Sequence, residues 1–115
     1  MRLDSDLNRI RHMIEAISQA IDYAQDRTRS ELEQDVPLQH LFVRNLEIAG
    51  EAASRISPEL RAAHPEIPWT RIMGMRNRLI HAYFEIDMDT VWSTVQHALP
   101  ALLLQLESIE NEAGE

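Results

Sequence analysis

Val91-Trp92-Ser93-Thr94-Val95-Gln96-His97-Ala98-Leu99-Pro100-Ala101-Leu102-Leu103-Leu104-Gln105-Leu106-Glu107-Ser108-Ile109 carries the most apolar stripe in the chain. Val91, Trp92, Val95, Leu99, Leu102, Leu103, Leu106 and Ile109 recur mainly at spacings of three and four, which aligns them along one side of an α-helix. Such a face is stable only when buried against others like it, so the fold must be built from helices with matching stripes. Asp87 sits where it can cap the free amides of this helix, and Pro100 should kink it.

Working back from this helix, three partners are legible. From about Asp6 to Gln25, Leu7, Ile10, Ile14, Ile17, Ile21 and Ala24 form a second stripe, with Asp4 to Asp6 as capping candidates. Asp26 to Asp35 is polar and reads as a loop with one helical turn near Glu31; its Arg27 and Arg29 read as solvated charges. Asp35-Val36-Pro37 pairs a capping side chain with a proline in the first turn, where no donor is needed, and opens a helix to about Ile56. Leu38, Leu41, Phe42, Asn45, Ile48, Ala49 and Ala52 share one of its faces. Gly50 interrupts that helix at a cost of about 1 kcal/mol relative to Ala, which implies that another backbone passes close by. Glu47 and Glu51, one turn apart, either face a neighbouring arginine or are exposed acids. Ser57-Pro58 repeats the cap-then-proline signal for a short helix ending near His64-Pro65, and Pro65 and Pro68 make a rigid corner. A third main helix is expected from Pro68 through Trp69, Ile72, Met73, Arg76, Leu79 and Ile80.

No alternating strand pattern or glycine-rich phosphate loop is visible. The expectation is an all-α protein: an up-and-down four-helix bundle with an additional short helix, in one domain spanning residues 1–115. No apolar run approaches the roughly 20 residues that span a bilayer, and the N-terminus lacks an apolar targeting segment, so a cytoplasmic location is expected. With no cysteine there are no disulfides or thiolate metal sites. The five His show no pair at metal-ligand spacing, and neither a metal nor any other cofactor is expected. His12 and His97 read as partly exposed surface residues.

The formal net charge is −8, which argues against a protein held on nucleic acid mainly by a broad basic surface. Its distribution is uneven. Residues 1–43 carry five Arg against eight acids, residues 44–81 six Arg against four, and residues 82–115 no cation against seven acids. All eleven cations are Arg, whose planar fork suits phosphate and carboxylate.

Within the net-positive third lies Met73-Gly74-Met75-Arg76-Asn77-Arg78-Leu79-Ile80-His81-Ala82-Tyr83-Phe84, which gathers two arginines, an amide, an imidazole and a phenol into twelve residues. A His exchanges protons near neutral pH and an Arg is a fixed cation for a phosphate. Together they suit RNA cleavage without a metal: the imidazole takes a proton from a 2′-hydroxyl or gives one to a leaving oxygen, while the guanidinium stabilises charge on the phosphate. A spacing of five on an ideal helix separates Arg76 and His81 by about 140°. Either the helix loosens near His81, or both reach into a cleft formed with another chain. Asn77 and Arg78, four and three residues before His81, could orient the imidazole. A purely structural reading also fits, since cations are favoured at a helix C-terminus.

Four blocks of this chain resemble the HEPN superfamily and, within it, the HepT-like toxins. They are Arg44-Asn45-Leu46-Glu47-Ile48-Ala49-Gly50-Glu51-Ala52, Ser57-Pro58-Glu59-Leu60, His64-Pro65-Glu66-Ile67-Pro68-Trp69 and Met75 to Phe84. The family pattern of an Arg, a polar residue, three residues, a His, one residue and a Tyr is met by Arg76, Asn77, His81 and Tyr83; Ala82 stands where many relatives have an acid. The resemblance implies a HEPN-like helical homodimer whose two Arg/His sets meet in one cleft. It implies a metal-independent ribonuclease acting on cellular RNA, with tRNA the expected target. It also implies a minimal nucleotidyltransferase antitoxin that silences the toxin by transferring AMP to Tyr83. On that reading Arg76 and His81 are catalytic, Asn77 positions them, and Arg78 and Arg71 hold flanking phosphates. The competing reading is a non-catalytic subunit that binds a nucleotide or regulates a nucleotidyltransferase, which the acidic total charge favours.

Overall fold

The computed structural model describes residues 2–79 and 86–113, and the side chains of all of these except residues 2–4 and Arg76. The described residues are all-α. The order is α1 (Arg2–Ala24), α2 (Arg29–Gln34), α3 (Val36–Ser54), α4 (Pro58–Ala63), α5 (Trp69–Met73), α6 (Met75–Leu79), α7 (Met88–Ser93), a π-helical turn (Thr94–Ala98) and α8 (Leu99–Ala113). α1 packs against both α3 and α8, and α3 also receives α5 and α6. No helix among the described residues is long and apolar enough to cross a membrane.

The caps read from the sequence are where local chemistry places them. The Asp35 carboxylate accepts from the Leu38 N–H at 3.0 Å, the Ser57 hydroxyl from the Leu60 N–H at 3.3 Å, and the Asp87 carboxylate from the Thr90 N–H at 3.0 Å. Asp6 differs from its expected role. It lies inside α1, where it is 4% exposed, and accepts from Ser57 N–H at 2.9 Å and Ser57 Oγ at 2.6 Å. The carboxylate thus fastens α1 to the start of α4 rather than capping its own helix. The buried stripe of α1 is also rotated from the expected one. Ile10, Met13, Ala16, Ile17, Ala20 and Ala24 are buried, while Leu7, Ile14 and Ile21 are only half-buried. Small Ala16 and Ala20 let α1 lie close against its neighbours.

The polar segment before α3 holds more helix than one turn. Thr28 caps α2 by accepting from the Glu31 N–H at 3.1 Å, and buried Gln39 donates from Nε2 to the Leu32 and Glu33 carbonyls at 3.0 and 3.2 Å. Its arginines are not simply solvated. Arg29 reaches Asp89 of α7 at 2.9 Å and Arg27 lies 3.8 Å from Asp35.

The expected continuous third helix is broken at Gly74. The cause is a close approach that Gly50 permits: a Cβ at Gly50 would stand 2.8 Å from the Ile72 carbonyl oxygen, so the backbone of α5 rests directly on α3. Glycine is a weak helix former, and Gly74 ends α5 with its N–H donating to the Thr70 carbonyl at 3.0 Å before α6 starts in a new direction. In the last helix, the irregularity expected at Pro100 lies one turn upstream. Proline has no N–H to donate, and the chain widens to a π turn over Thr94–Ala98 while Val95 and Leu99 stay buried. One apolar core runs through these elements, with Phe42, Leu46, Ile17, Leu99 and Leu106 among its fully buried side chains.

Candidate active site

Three features fix the position of α6, the five-residue helix that carries Arg76, Asn77 and Arg78. Met75 and Leu79 are buried and anchor its inner face. The bend at Gly74 sets where it begins. At its end the Asp87 N–H donates to the Leu79 carbonyl at 2.7 Å, which holds together the two ends of the stretch carrying His81 and Tyr83. The side chain of Arg76 and the whole of His81 and Tyr83 lie outside the described residues.

Successive helical residues point about 100° apart, and α6 uses this to face two hollows. Asn77 is exposed and lines a cavity of about 620 Å³ with Arg9, His12, Arg44, Glu47 and Arg55. Arg78 and Arg71, also exposed, line a separate groove of about 640 Å³ with Met75, Asp89, His97 and Gln105. Of the residues predicted from sequence, Arg71 and Arg78 are therefore brought together, and Asn77 opens on the other side. His12 and His97 are exposed as expected, and each lines one of the two hollows.

The cavity holding Asn77 contains cations that sequence reading did not single out. Arg9 and His12 come from α1, one turn apart; Arg44 and Arg55 come from α3. The signal was present as spacing, because Arg44, Glu47, Glu51 and Arg55 follow each other at three and four residues and so share one face. Of the two acids there, Glu51 accepts from Arg55 Nε of its own helix at 3.0 Å, and Glu47 is also engaged. Among the described residues no three His, Cys, Asp or Glu side chains converge as a metal site requires.

A profile described as Ribonuclease HepT-like matches residues 13–109. The chain belongs to the HepT-like ribonuclease family. It is 37% identical over 100 residues to a Thermococcus cleftensis protein named "Probable ribonuclease HepT", a match covering 84% of this chain and 91% of that one. It is 33% identical over 100 residues to a protein of Caldanaerobacter subterraneus subsp. tengcongensis named "Putative RNase TTE0752", covering 87% and 89% of the two chains. No solved structure matches the chain. The all-α fold agrees with the HepT-like assignment, which places the protein among the ribonucleases.

Proposed function

We propose that this HepT-like protein is a toxin endonuclease that cuts cellular RNA, tRNA foremost, without a metal ion, acting as a homodimer with residues 1–115 as one domain. His81 takes the proton of a ribose 2′-hydroxyl, whose oxygen then attacks the adjacent phosphorus; the bond to the 5′-oxygen breaks and that oxygen takes a proton from water, yielding a 2′,3′-cyclic phosphate and a 5′-hydroxyl end. Arg76 carries the charge that builds up on the phosphate, and Asn77 positions the reacting groups. Arg71 and Arg78, which share a groove, hold phosphates beyond the cut. The observation that carries this reading is the setting of α6 in a HepT-like chain: a short helix between two arginine-lined hollows, its C-terminal carbonyl tied to Asp87.

A nucleotidyltransferase antitoxin would silence the enzyme by moving AMP from ATP onto the Tyr83 oxygen, forming a phosphoester and releasing pyrophosphate. The added negative charge beside Arg76 and His81 would exclude an anionic substrate.

Purified protein is expected to cleave tRNA in the presence of EDTA, and His81→Ala to lower the rate at least a hundredfold, the scale of a general acid or base, with an unchanged circular dichroism spectrum. Cleavage that survives His81→Ala, or that demands added Mg²⁺, would refute the mechanism. Absence of cleavage together with nucleotide binding that Arg76→Ala abolishes would instead identify a binding subunit. Intact-mass measurement of a Tyr83-containing peptide, with the antitoxin co-expressed, reads the modification directly.

A further inference from the structure

We infer that the cavity between α1, α3 and the α5–α6 bend is a second phosphate-binding subsite, in which Arg9, His12 and Arg44 grip the RNA strand on the Asn77 side of α6. The inference rests on the reading of the protein as an RNA-cutting enzyme.

Arg9 is the decisive residue. Its Nε is buried without a hydrogen-bond partner, a state shared among the described residues only by Arg29 Nη1 and Arg61 Nε. Those two guanidinium groups are satisfied elsewhere: Arg29 reaches Asp89 at 2.9 Å, and Arg61 Nη1 reaches the Met73 sulfur at 3.1 Å. Arg9 has no partner for any of its nitrogens among the described residues. A buried charged donor left unmade is costly, and native structures contain few of them without a function or a missing ligand. The same cavity holds a second guanidinium without a partner, this one exposed. Arg44 makes no hydrogen bond or ion pair among the described residues, whereas Arg55 is occupied by Glu51.

The two free guanidinium groups and the His12 ring therefore converge on one hollow from two helices, in a chain whose formal net charge is −8. Glu47 and Glu51 also line the hollow, but both carboxylates are engaged, Glu51 with Arg55, so the planar forks of Arg9 and Arg44 are left to match the paired oxygens of a phosphate. The volume of about 620 Å³ exceeds what a lone phosphate fills and leaves room for its nucleoside. Asn77, which lines the cavity, follows Arg76 in the sequence, so the hollow opens on the helix that carries the proposed catalytic arginine. With Arg71 and Arg78 on the other flank, the strand is held on both sides of α6.

The test uses a fluorescent single-stranded oligonucleotide carrying 2′-O-methyl groups throughout, which removes the nucleophile and separates binding from cutting. Anisotropy titrations are run over a range of salt concentrations. Arg9→Gln and Arg44→Gln are each expected to weaken binding about tenfold and to lower the slope of log Kd against log salt by about 1, as for the loss of one phosphate contact. Arg11→Gln, which removes an exposed cation paired with Glu110 elsewhere on α1, is expected to change neither. Because Arg44 is exposed, its variant decides the question even where Arg9→Gln fails to fold. An Arg44→Gln titration indistinguishable from that of Arg11→Gln overturns the inference, and so does a change of Arg44→Gln from dimer to monomer, which would give the cavity to a partner chain. Cleavage of the all-ribose oligonucleotide by the unaltered protein is scored separately. Binding lost in both variants without any cleavage keeps the subsite and removes the nuclease reading, and cleavage with binding intact in both variants does the reverse.

Discussion

Asp6 shows how much one buried side chain can hold. Its two carboxylate oxygens take the N–H and the hydroxyl of Ser57, 51 residues away, and Ser57 in turn caps α4. Asp6→Ala leaves two partly buried polar groups of Ser57 without this partner, and urea denaturation is expected to show a loss of about 3 kcal/mol, since hydrogen bonds to charged groups contribute about 1.5–3 kcal/mol each. Asp6→Asn keeps one carbonyl acceptor and should lose roughly half as much; equal stability of all three proteins would refute this role. Nothing local in Leu3-Asp4-Ser5-Asp6 distinguishes a cap from a long-range staple, because both use the same side chain and differ only in what the fold brings near. The residue types of the proposed site, Arg76, Asn77, His81 and Tyr83, were legible because they are packed into one short stretch of sequence. The convergence of Arg9 with Arg44 was not, because it exists only once α1 lies on α3.

At the scale of elements, the close crossing of α3 and α5 deserves a direct test. Gly50→Ala adds a methyl group 2.8 Å from the Ile72 carbonyl oxygen, a backbone atom that can move only with α5. Overpacking of this kind costs about 1–3 kcal/mol, and the better helix propensity of Ala returns about 1 kcal/mol. The expected result is a net loss of stability and a fall of several degrees in Tm. A rise in Tm would show that the two backbones are not in contact. Displacing α5 also displaces Gly74 and hence α6, so RNA cleavage is expected to fall more than stability alone explains. Gly50 announced this crossing in the sequence, since a glycine inside a helix has a cost that needs a reason. The caps at Asp35, Ser57 and Asp87 were equally legible from neighbouring residues. The break at Gly74 and the π turn before Pro100 were not. Each is a compromise between local helix geometry and the need to keep Ile72, Leu79, Val95 and Leu99 buried, and the second half of that compromise is tertiary.

The whole molecule joins an acidic chain to an anionic substrate, and the arginines reconcile the two. Arg9, Arg44 and Arg55 line the hollow on one side of α6 and Arg71 and Arg78 the groove on the other, while the final third, which has no Arg or Lys, supplies α7 and α8. A surface organised in this way suits a local site, so affinity should depend on a few phosphate contacts and weaken with salt only in proportion to that small number. The proposed dimer makes a separate prediction. Sedimentation is expected to report twice the 13.3 kDa chain mass, and dilution into the dissociating range should reduce cleavage per chain, because the shared cleft is lost. Constant specific activity down to concentrations where only monomer sediments would show that one chain suffices.

The packing of α1 against α8 has a consequence for synthesis. These helices meet across most of the chain's length, and Arg11 pairs with Glu110 at 3.2 Å. During translation the apolar face of α1 can settle on α3 early, but it stays partly open until α8 has left the ribosome. Products cut short before α8 therefore lack one wall of the core and should be cleared by proteases rather than accumulate as active fragments. For an enzyme able to attack the RNA around it, competence arrives only after the bundle has closed.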